Sequence, residues 1–452
     1  MSDDVDAVLA TMRDRYTPTD EQRAALQAVA ATVRERAERA VEDLPVDGEV
    51  VQVGSTARDT WLPDDRDVDV FVRFPPDLAR DDLETYGLEV GHAVLPDGRE
   101  EYAEHPYVVG SVDGYDVDLV PCYAVDSAAA IESAVDRTPF HTRYVAERLD
   151  EDRAAEVRVL KAFLDAVGVY GSDLKTRGFS GYLTELLVLE YGSARGVLAA
   201  AAEAWHPPVT IDPADHAATT FDDPLVVIDP TDPERNVAAV LHVDTLARLQ
   251  HHARAFLADP SPDAFVASEP TPLDADEVEH RVRERATTPV AIVFDAPDIV
   301  DDQLWPQLRK SLAGVTGELD RRGFGPLRST IFVDERAVLF VECSLPELPA
   351  IERHEGPPVH VGDHARNFYE RYVDDESVTG PYVEDGRYVV ERPREFRTPT
   401  ALLDSDRLFD VALGASVADA LESSAEVLSG TDVATLADEF GVAFADYFAP
   451  KP

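Results

Sequence analysis

Two pairs of aspartates lie in short segments whose other positions are apolar. Asp67 and Asp69 share one face of a predicted strand, because successive side chains of a strand point to opposite faces. Adjacent carboxylates repel each other unless a cation lies between them, and hard oxygen ligands of this kind suit Mg²⁺. A second predicted strand carries Asp116 and Asp118 on its polar face. Three carboxylates on neighbouring strands can hold two Mg²⁺ ions about 4 Å apart, which is the arrangement for nucleotidyl transfer.

A Gly-Ser turn precedes the first aspartate strand. Gly54 and Ser55 end an apolar segment, and such a turn can present backbone N–H groups and a hydroxyl to phosphates. Arg58 follows one turn later, within reach of the same anion. Acid-x-acid and Gly-Ser pairs are common in a chain this acidic, so the signal is their order. That order predicts a metal–triphosphate site, whereas a solvated strand edge explains Asp116 better.

The composition is strongly acidic. The 452 residues include 89 Asp or Glu and 41 Lys or Arg, a formal net charge of −48. This sign normally argues against a nucleic-acid partner, since phosphates repel it. At molar salt the Debye length falls to about 3 Å and surface carboxylates barely interact. We therefore interpret the charge as an adaptation to a salt-rich cytoplasm, under which a basic site must be local and built mostly from arginine.

Other classes of protein are disfavoured by simple features of the sequence. No window approaches the 18 consecutive apolar residues of a membrane span, and the acidic N-terminus lacks the apolar core of a secretory signal. Cys122 and Cys343 are the only cysteines, which excludes a disulfide framework and a cysteine zinc site. We expect a cytoplasmic protein without membrane contact.

The length predicts two to four domains. The first block has a predicted helix at 17–44, strands at 49–53, 66–74 and 113–120, and helix and loop over 77–110. Predicted helices follow at 143–150, 152–167, 180–191 and 193–205, then a Pro- and Asp-rich loop at 206–235 and a helix at 236–257. A third block has a strand at 290–294, a helix at 302–322 and strands at 328–334 and 337–344, an order typical of a split-βαβ sandwich. The remainder has a predicted helix at 363–373, strands around Tyr382 and Tyr388, and helices at 405–427 and 431–447.

These residues resemble the archaeal (class I) CCA-adding enzymes, tRNA nucleotidyltransferases of the DNA-polymerase-β-like superfamily. The resemblance begins with Gly54-Ser55, Asp67-x-Asp69 and the segment 117–123. Further blocks in the same order are 133–141, 157–163 with 168–171, 177–187, 229–230 with 235–239, and 297–308. Together they cover most of the chain from about 50 to 345, so they are far more specific than the metal motif.

The resemblance implies roles for individual residues. It places the catalytic metal carboxylates at Asp67, Asp69 and Asp118, although many members of the family have Glu at the first position. Positions that match the family's nucleotide contacts are Gly54, Ser55 and Arg58 for the triphosphate, Lys161, Tyr170 and His141 nearby, and Arg235 for reading the incoming base. Lys161 also stands out because it is one of few lysines and is predicted on the polar face of a helix, beside Arg158.

The resemblance also implies an α+β multidomain fold. We expect a polymerase-β-like nucleotidyltransferase head at 1–142, a helical neck at 143–265 that binds nucleotide and tRNA, a ferredoxin-like (βαββ) body at 270–345, and a tail with C-terminal helices at 346–452 that contacts tRNA. The implied activity is template-independent addition and repair of the 3′-terminal CCA of tRNA. The reaction would use CTP, ATP and Mg²⁺ and would release pyrophosphate. The resemblance also implies that the enzyme is a homodimer.

A grip on tRNA is expected as an arginine-rich strip on the βαββ block. Its candidates are Arg309, Lys310, Arg321, Arg322 and Arg328, which a solvated helix face explains equally well. The alternatives are a poly(A) polymerase or oligoadenylate synthase, which share the metal motif, and a non-catalytic RNA-binding or scaffolding relative. A CCA-only or A-only enzyme is a further variant.

Overall fold

A computed structural model describes residues 2–102, 104–268 and 270–452. The chain forms two compact units, one up to Ser268 that also takes the terminal Pro452, and one from Glu269 to Lys451. Within the described ranges, no helix is both long and apolar enough to cross a membrane.

The first unit opens with a five-stranded sheet and its helices. Its elements are α1 (Ser2–Tyr16), α2 (Asp20–Glu42), β1 (Glu49–Gln52), α3 (Gly54–Ala57), β2 (Asp67–Phe74), α4 (Arg80–Val94), β3 (Arg99–Tyr102), β4 (Pro106–Val112) and β5 (Tyr115–Tyr123). The strand order is β1-β2-β5-β4-β3, in which β2 and β5 are parallel and the other pairs antiparallel. The three predicted strands of this block are confirmed. β3 and β4 were missed, because they lie where only helix and loop were predicted.

Alternation along β2 separates a core face from a polar face. Val68, Val70 and Val72 are fully buried in the core that the sheet shares with α2 and α4. Asp67 and Asp69 therefore project from the opposite face, as the sequence predicts. The packing of the valines fixes the strand, and the strand fixes the direction of the two carboxyl groups.

A helical layer with a small sheet completes the first unit. Its elements are α5 (Thr138–Ala146), α6 (Glu151–Ala166), α7 (Gly181–Tyr191), α8 (Ala194–Ala199), β6 (Val209–Ile211), β7 (Leu225–Asp229), β8 (Asp232–Asn236) and α9 (Val243–Ala258). The prediction of loop at 206–235 was wrong, because the short strands β6, β7 and most of β8 lie there, and β7 is buried along its whole length. The helix predicted from 236 begins at Val243.

The N-terminal helices show how local sequence sets boundaries. α2 begins at Asp20 because Thr19 is its N-cap, in a capping box with Gln22. α1 was not predicted. Its Val5 and Leu9 lie four residues apart on one helical face and are buried in the core that contains α6 and α7.

The second unit is a four-stranded antiparallel sheet between two pairs of helices. Its elements are α10 (Ala275–Arg285), β9 (Thr288–Asp295), α11 (Asp301–Arg322), β10 (Pro326–Val333), β11 (Arg336–Cys343), β12 (Ile351–Pro358), α12 (Gly362–Tyr372), β13 (Thr379–Glu384), β14 (Arg387–Pro393), α13 (Pro399–Leu403), α14 (Ala415–Ser424), β15 (Glu426–Ser429) and α15 (Ala437–Phe448). The order is β10-β11-β9-β15, with α11 and α14 on one face and α10 and α15 on the other. The predicted βαββ order is confirmed.

The segment after β11 differs from prediction in two places. β12, β14 and β13 form a separate three-stranded sheet with α12, and β12 was not predicted. The single helix predicted at 405–427 was wrong. It consists of a short 3₁₀ segment, α14 and then β15, which joins the main sheet beside β9.

Candidate active site

The two aspartate strands lie side by side, and their register pairs the acids. Along the parallel strands β2 and β5, Asp67 is the partner of Asp116 and Asp69 is the partner of Asp118. Asp67, Asp69 and Asp118 line one cavity of about 780 Å³, together with Ser55. The structure therefore brings together the three residues predicted as metal ligands and one predicted as a triphosphate contact.

Gly54 lies against Asp69. A Cβ atom at this position would be 1.8 Å from Asp69 Oδ2, and the backbone has φ +75°, which side chains rarely adopt. Gly54 also begins the short helix α3, so the predicted turn is a single helical turn. Ser55 follows, and its hydroxyl makes no hydrogen bond with any other residue that the structure describes.

The carboxyl groups in this cavity have raised pKa values. Burial, a hydrogen bond with Asp65 and the charges of neighbouring acids raise the pKa of Asp67 to about 7. Burial and the charge of Asp118 raise the pKa of Asp69 to about 6, although Arg58 and Lys161 act against the shift. Burial and nearby acids also raise the pKa of Asp118.

The donor set suits a divalent cation such as Mg²⁺. It consists of oxygen atoms only, and within the described ranges none of Asp67, Asp69 and Asp118 forms an ion pair that would compete. As the side chains stand, no three acidic, histidine or cysteine groups in the described part of the chain are placed to enclose an ion. The suitability of this site for Mg²⁺ therefore rests on neighbouring carboxylates that form no ion pairs and have raised pKa values.

Asp118 also lines a second cavity. This space of about 610 Å³ is bounded by Asp116, Arg99 and Glu101 among others. Asp116 is exposed and does not line the cavity of Asp67 and Asp69.

The two predicted cationic contacts are buried rather than solvated. The prediction that Lys161 and Arg158 lie on a polar helix face was wrong, since their exposed fractions are 2% and 1%. Lys161 Nζ donates to the Thr60 carbonyl at 2.8 Å. Arg58 Nε donates to Glu185 at 3.0 Å. Arg58 is not among the residues that line the 780 Å³ cavity. Burial lowers the pKa of Lys161.

Tyr170 joins the cavity to this buried cluster. It lines the cavity with the three aspartates. At the first residue of α7, a Cβ atom on Gly181 would be 3.2 Å from the Tyr170 hydroxyl and 3.5 Å from Lys161 Nζ. Tyr170 and Lys161 thus converge on the N-terminus of α7.

His141 and Arg235 converge on a different carboxylate. His141 Nε2 is 2.7 Å from Asp229 Oδ2, and Arg235 Nη1 donates to the same oxygen at 2.7 Å. The other oxygen accepts from the Tyr182 hydroxyl and from the backbone and hydroxyl of Thr231. Burial alone would raise the pKa of Asp229, but these hydrogen bonds outweigh it and lower the pKa. The ring of Tyr182 stacks on His141 at 4.0 Å.

Sequence reasoning missed several residues that hold the predicted ones. Asp65 was not singled out, and Tyr182, Glu185 and Asp229 were quoted only as parts of family blocks. Glu185 had a local signal, since it is an acid beside the apolar run Leu186–Leu189 of the helix. An acid in such a position that does become buried needs a partner for its charge.

The predicted arginine strip of the second unit is partly neutralised internally. Arg321 and Arg322 both pair with Glu318, and Arg322 also pairs with Glu395. The guanidinium of Arg328 lies 3.7 Å from the ring centre of Tyr447. These contacts favour a structural role for the three arginines, while the tRNA grip stays a prediction.

The fold and the site define a nucleotidyltransferase. Three family profiles match in order: a nucleotidyltransferase domain over residues 33–141, a tRNA nucleotidyltransferase second domain over 155–266, and a CCA-adding enzyme C-terminal domain over 285–430. These matches extend across both units.

Curated relatives identify the family. The chain is 61% identical to a CCA-adding enzyme of Haloarcula marismortui and 55% identical to one of Halorubrum lacusprofundi. Each alignment covers 100% of this chain and 100% of the relative. It is 44% identical to a CCA-adding enzyme of Methanoregula boonei, over 88% of this chain and 87% of that one. The chain belongs to the CCA-adding enzymes, which are tRNA nucleotidyltransferases.

A solved structure of a cytoplasmic RNA terminal U-transferase covers 59% of this chain and 99% of its own, with 16% identity and a TM-score of 0.44. This likeness is too distant to add to the argument.

Proposed function

We propose that this protein adds and repairs the 3′-terminal CCA of tRNA from CTP and ATP without a nucleic-acid template, in a Mg²⁺-dependent reaction. The RNA 3′-hydroxyl attacks the α-phosphate of the nucleotide in line, and pyrophosphate leaves. The observation that carries the proposal is the pairing of Asp69 with Asp118 on parallel strands, at the wall of a cavity that also contains Ser55. Family membership supports the choice of tRNA as the acceptor.

The acidic side of the cavity is the proposed metal site. Asp67, Asp69 and Asp118 would hold Mg²⁺ through their carboxylate oxygens, and the raised pKa values support this because a bound cation relieves their mutual repulsion. Mg²⁺ bound there would lower the pKa of the attacking hydroxyl and neutralise charge on the phosphates.

The remaining predicted residues are proposed nucleotide contacts. Gly54 leaves room for Asp69, and the Ser55 hydroxyl is available to a phosphate oxygen. Arg58, Lys161 and Tyr170 would neutralise and orient the triphosphate. His141 and Arg235, held by Asp229, would contact the base or sugar, since hydrogen-bond donors in a fixed position discriminate between bases.

A 3′-end extension assay tests the proposal. A tRNA transcript that ends at its discriminator base is mixed with the protein, Mg²⁺, about molar KCl and labelled CTP, ATP or both, because an acidic surface needs screening. We expect two C residues with CTP alone and CCA with both nucleotides. Long A tails, on this tRNA or on a poly(A) primer, would instead identify a poly(A) polymerase. Binding of tRNA without extension at any salt would point to a non-catalytic relative.

Two further properties follow from the family rather than from the site. We propose a homodimer, which sedimentation velocity in molar KCl checks, and a cytoplasmic location, where tRNA is processed. An arginine contact with tRNA in the second unit stays a prediction.

A further inference from the structure

Three consecutive residues, Arg58 to Thr60, are held by side chains from other parts of the first unit. Asp59 has φ +56°, a left-handed conformation that is uncommon outside glycine and needs support from its surroundings. Arg158 of α6 donates to the Asp59 carbonyl and approaches its carboxylate. Lys161, one helical turn further along α6, donates to the Thr60 carbonyl. Charged groups on α6, together with Arg23 of α2, which pairs with the Asp59 carboxylate, therefore hold this segment.

Glu185 of α7 lies at the centre of this arrangement. It is fully buried, and its Oε1 atom accepts from Arg58 Nε at 3.0 Å and from Thr60 Oγ1 at 2.5 Å. Its Oε2 atom lies 3.0 Å from the same Arg58 nitrogen but accepts no hydrogen bond from the residues described. A buried carboxylate destabilises a fold unless it is paired, so the pairing with Arg58 and Thr60 is what maintains it.

Two buried cations lie near the single negative charge of Glu185. The side chains of Arg58 and Lys161 are both buried near it. In the described chain Arg58 forms an ion pair with Glu185 and with no other acid, whereas Lys161 forms no ion pair and feels the charge of Glu185 at longer range. From the cavity side, the charge of Asp69 already reaches Arg58 and Lys161, and the charge of Asp65 reaches Lys161. Without the charge of Glu185, these cavity acids would be the remaining counter-ions for Arg58 and Lys161.

We propose that Glu185 is a positioning residue of the nucleotide site. It orients Arg58 directly and Lys161 through Thr60, and it keeps both cations from pairing with the carboxylates of the cavity. This inference rests on the proposed function, since it assumes that the cavity receives a nucleoside triphosphate with its cation. Loss of the Glu185 charge then weakens nucleotide binding more than it slows the chemical step.

The test compares Glu185→Gln with Glu156→Gln. Glu156 is a matched control, because it is also a buried acid of the first unit and accepts from Arg13 and from the Ala194 amide at 2.9 Å, away from the cavity. Each protein is assayed for equilibrium binding of labelled CTP with Mg²⁺ and without tRNA, so that no reaction occurs. KM and kcat for CTP addition and thermal unfolding are measured in parallel.

We expect Glu185→Gln to raise the Kd and the KM for CTP about tenfold, while kcat changes by less than about threefold, as for loss of a charge-assisted contact. Glu156→Gln should lower the unfolding temperature and leave the Kd unchanged. An unchanged Kd in Glu185→Gln, or a change that merely follows its unfolding temperature as in the control, would overturn the inference.

A second variant covers the case in which Glu185→Gln does not fold. Thr60→Val keeps the shape and the charges but removes the hydroxyl that donates to Glu185, and we expect a Kd for CTP about threefold higher, as for one lost hydrogen bond. An unchanged Kd there would contradict the proposal. The Kd does not depend on the RNA product, so failure of wild-type CCA addition would refute the proposed function separately.

Discussion

Two aspartates of the first unit show opposite electrostatics. Asp69 is partly exposed to the cavity, yet its pKa is raised to about 6, by burial and by Asp118. Asp229 is fully buried, which by itself would raise its pKa, yet hydrogen bonds from His141 and Thr231 lower it. The more buried group is the more acidic one, so partners decide the charge state here. The carboxylate of Asp69 pairs with no cation in the described chain, whereas Asp229 is satisfied by the protein and holds other side chains.

Among the substitutions that test this contrast, Asp69→Asn should have the largest effect. We expect CCA addition to fall about 10³-fold, because a metal ligand contributes several kcal/mol to the transition state, while thermal stability is unchanged or higher because a repelled charge is lost. Extension rates and unfolding curves at molar KCl check this. Retention of more than a tenth of the activity would remove Asp69 from the metal site.

Asp229→Asn should lower the stability of the fold, which Asp69→Asn should not. Because several donors lose a charged acceptor, we expect the free energy of unfolding to fall by about 3 kcal/mol, as for a broken buried pair. Chemical denaturation measures the loss. Asp212→Asn is the control, since that carboxylate also accepts backbone hydrogen bonds but is only partly buried. Equal small losses in both variants would contradict the role assigned to Asp229.

Gly54→Ala tests the close approach to Asp69. The new methyl group collides with the Asp69 carboxylate, so we expect activity to fall about 100-fold, beyond the cost of about 1 kcal/mol for alanine at positive φ. Gly192→Ala is matched, with φ +81° and nothing within 4 Å, and should lose stability only. If both variants keep full activity, contact with Asp69 does not explain Gly54.

The smallest effect is a pH dependence without metal. The pKa of Asp69 is raised in the folded state, so its contribution to stability is greatest below the unfolded pKa near 3.8 and is lost as the pH rises through about 6. In EDTA we expect wild type, relative to Asp69→Asn, to lose about 1 kcal/mol between pH 5 and pH 8. Unfolding curves at both pH values measure it, and a parallel loss in the two proteins would refute the raised pKa.

The aspartate strands could be predicted because their pattern is local. Period-2 alternation of valine and aspartate at 67–70 fixes both the strand and the face of each side chain. The parallel pairing that brings Asp69 next to Asp118 is long-range, and there the family resemblance supplied what alternation could not. The βαββ order of the second unit was likewise readable from strong local periodicity.

The buried charges could not be predicted from the same rules. Lys161 and Arg158 have the spacing of an ordinary solvated helix face, and only partners such as Thr60 and Asp59, about a hundred positions away, make their burial tolerable. β15 could not be predicted for a different reason. It is four residues long and follows α14 directly, so helical periodicity was extended across it.

The late position of β15 has a consequence for synthesis and handling of the chain. β9 is hydrogen-bonded to β11 on one edge. Its other edge pairs with β15, Glu426–Ser429, which follows β9 by more than a hundred residues. Until those residues leave the ribosome, β9 presents an unpaired row of N–H and C=O groups, which is the type of edge that recruits other chains. A chain shortened before β15 keeps every proposed catalytic residue in the first unit, and we expect it to aggregate nonetheless.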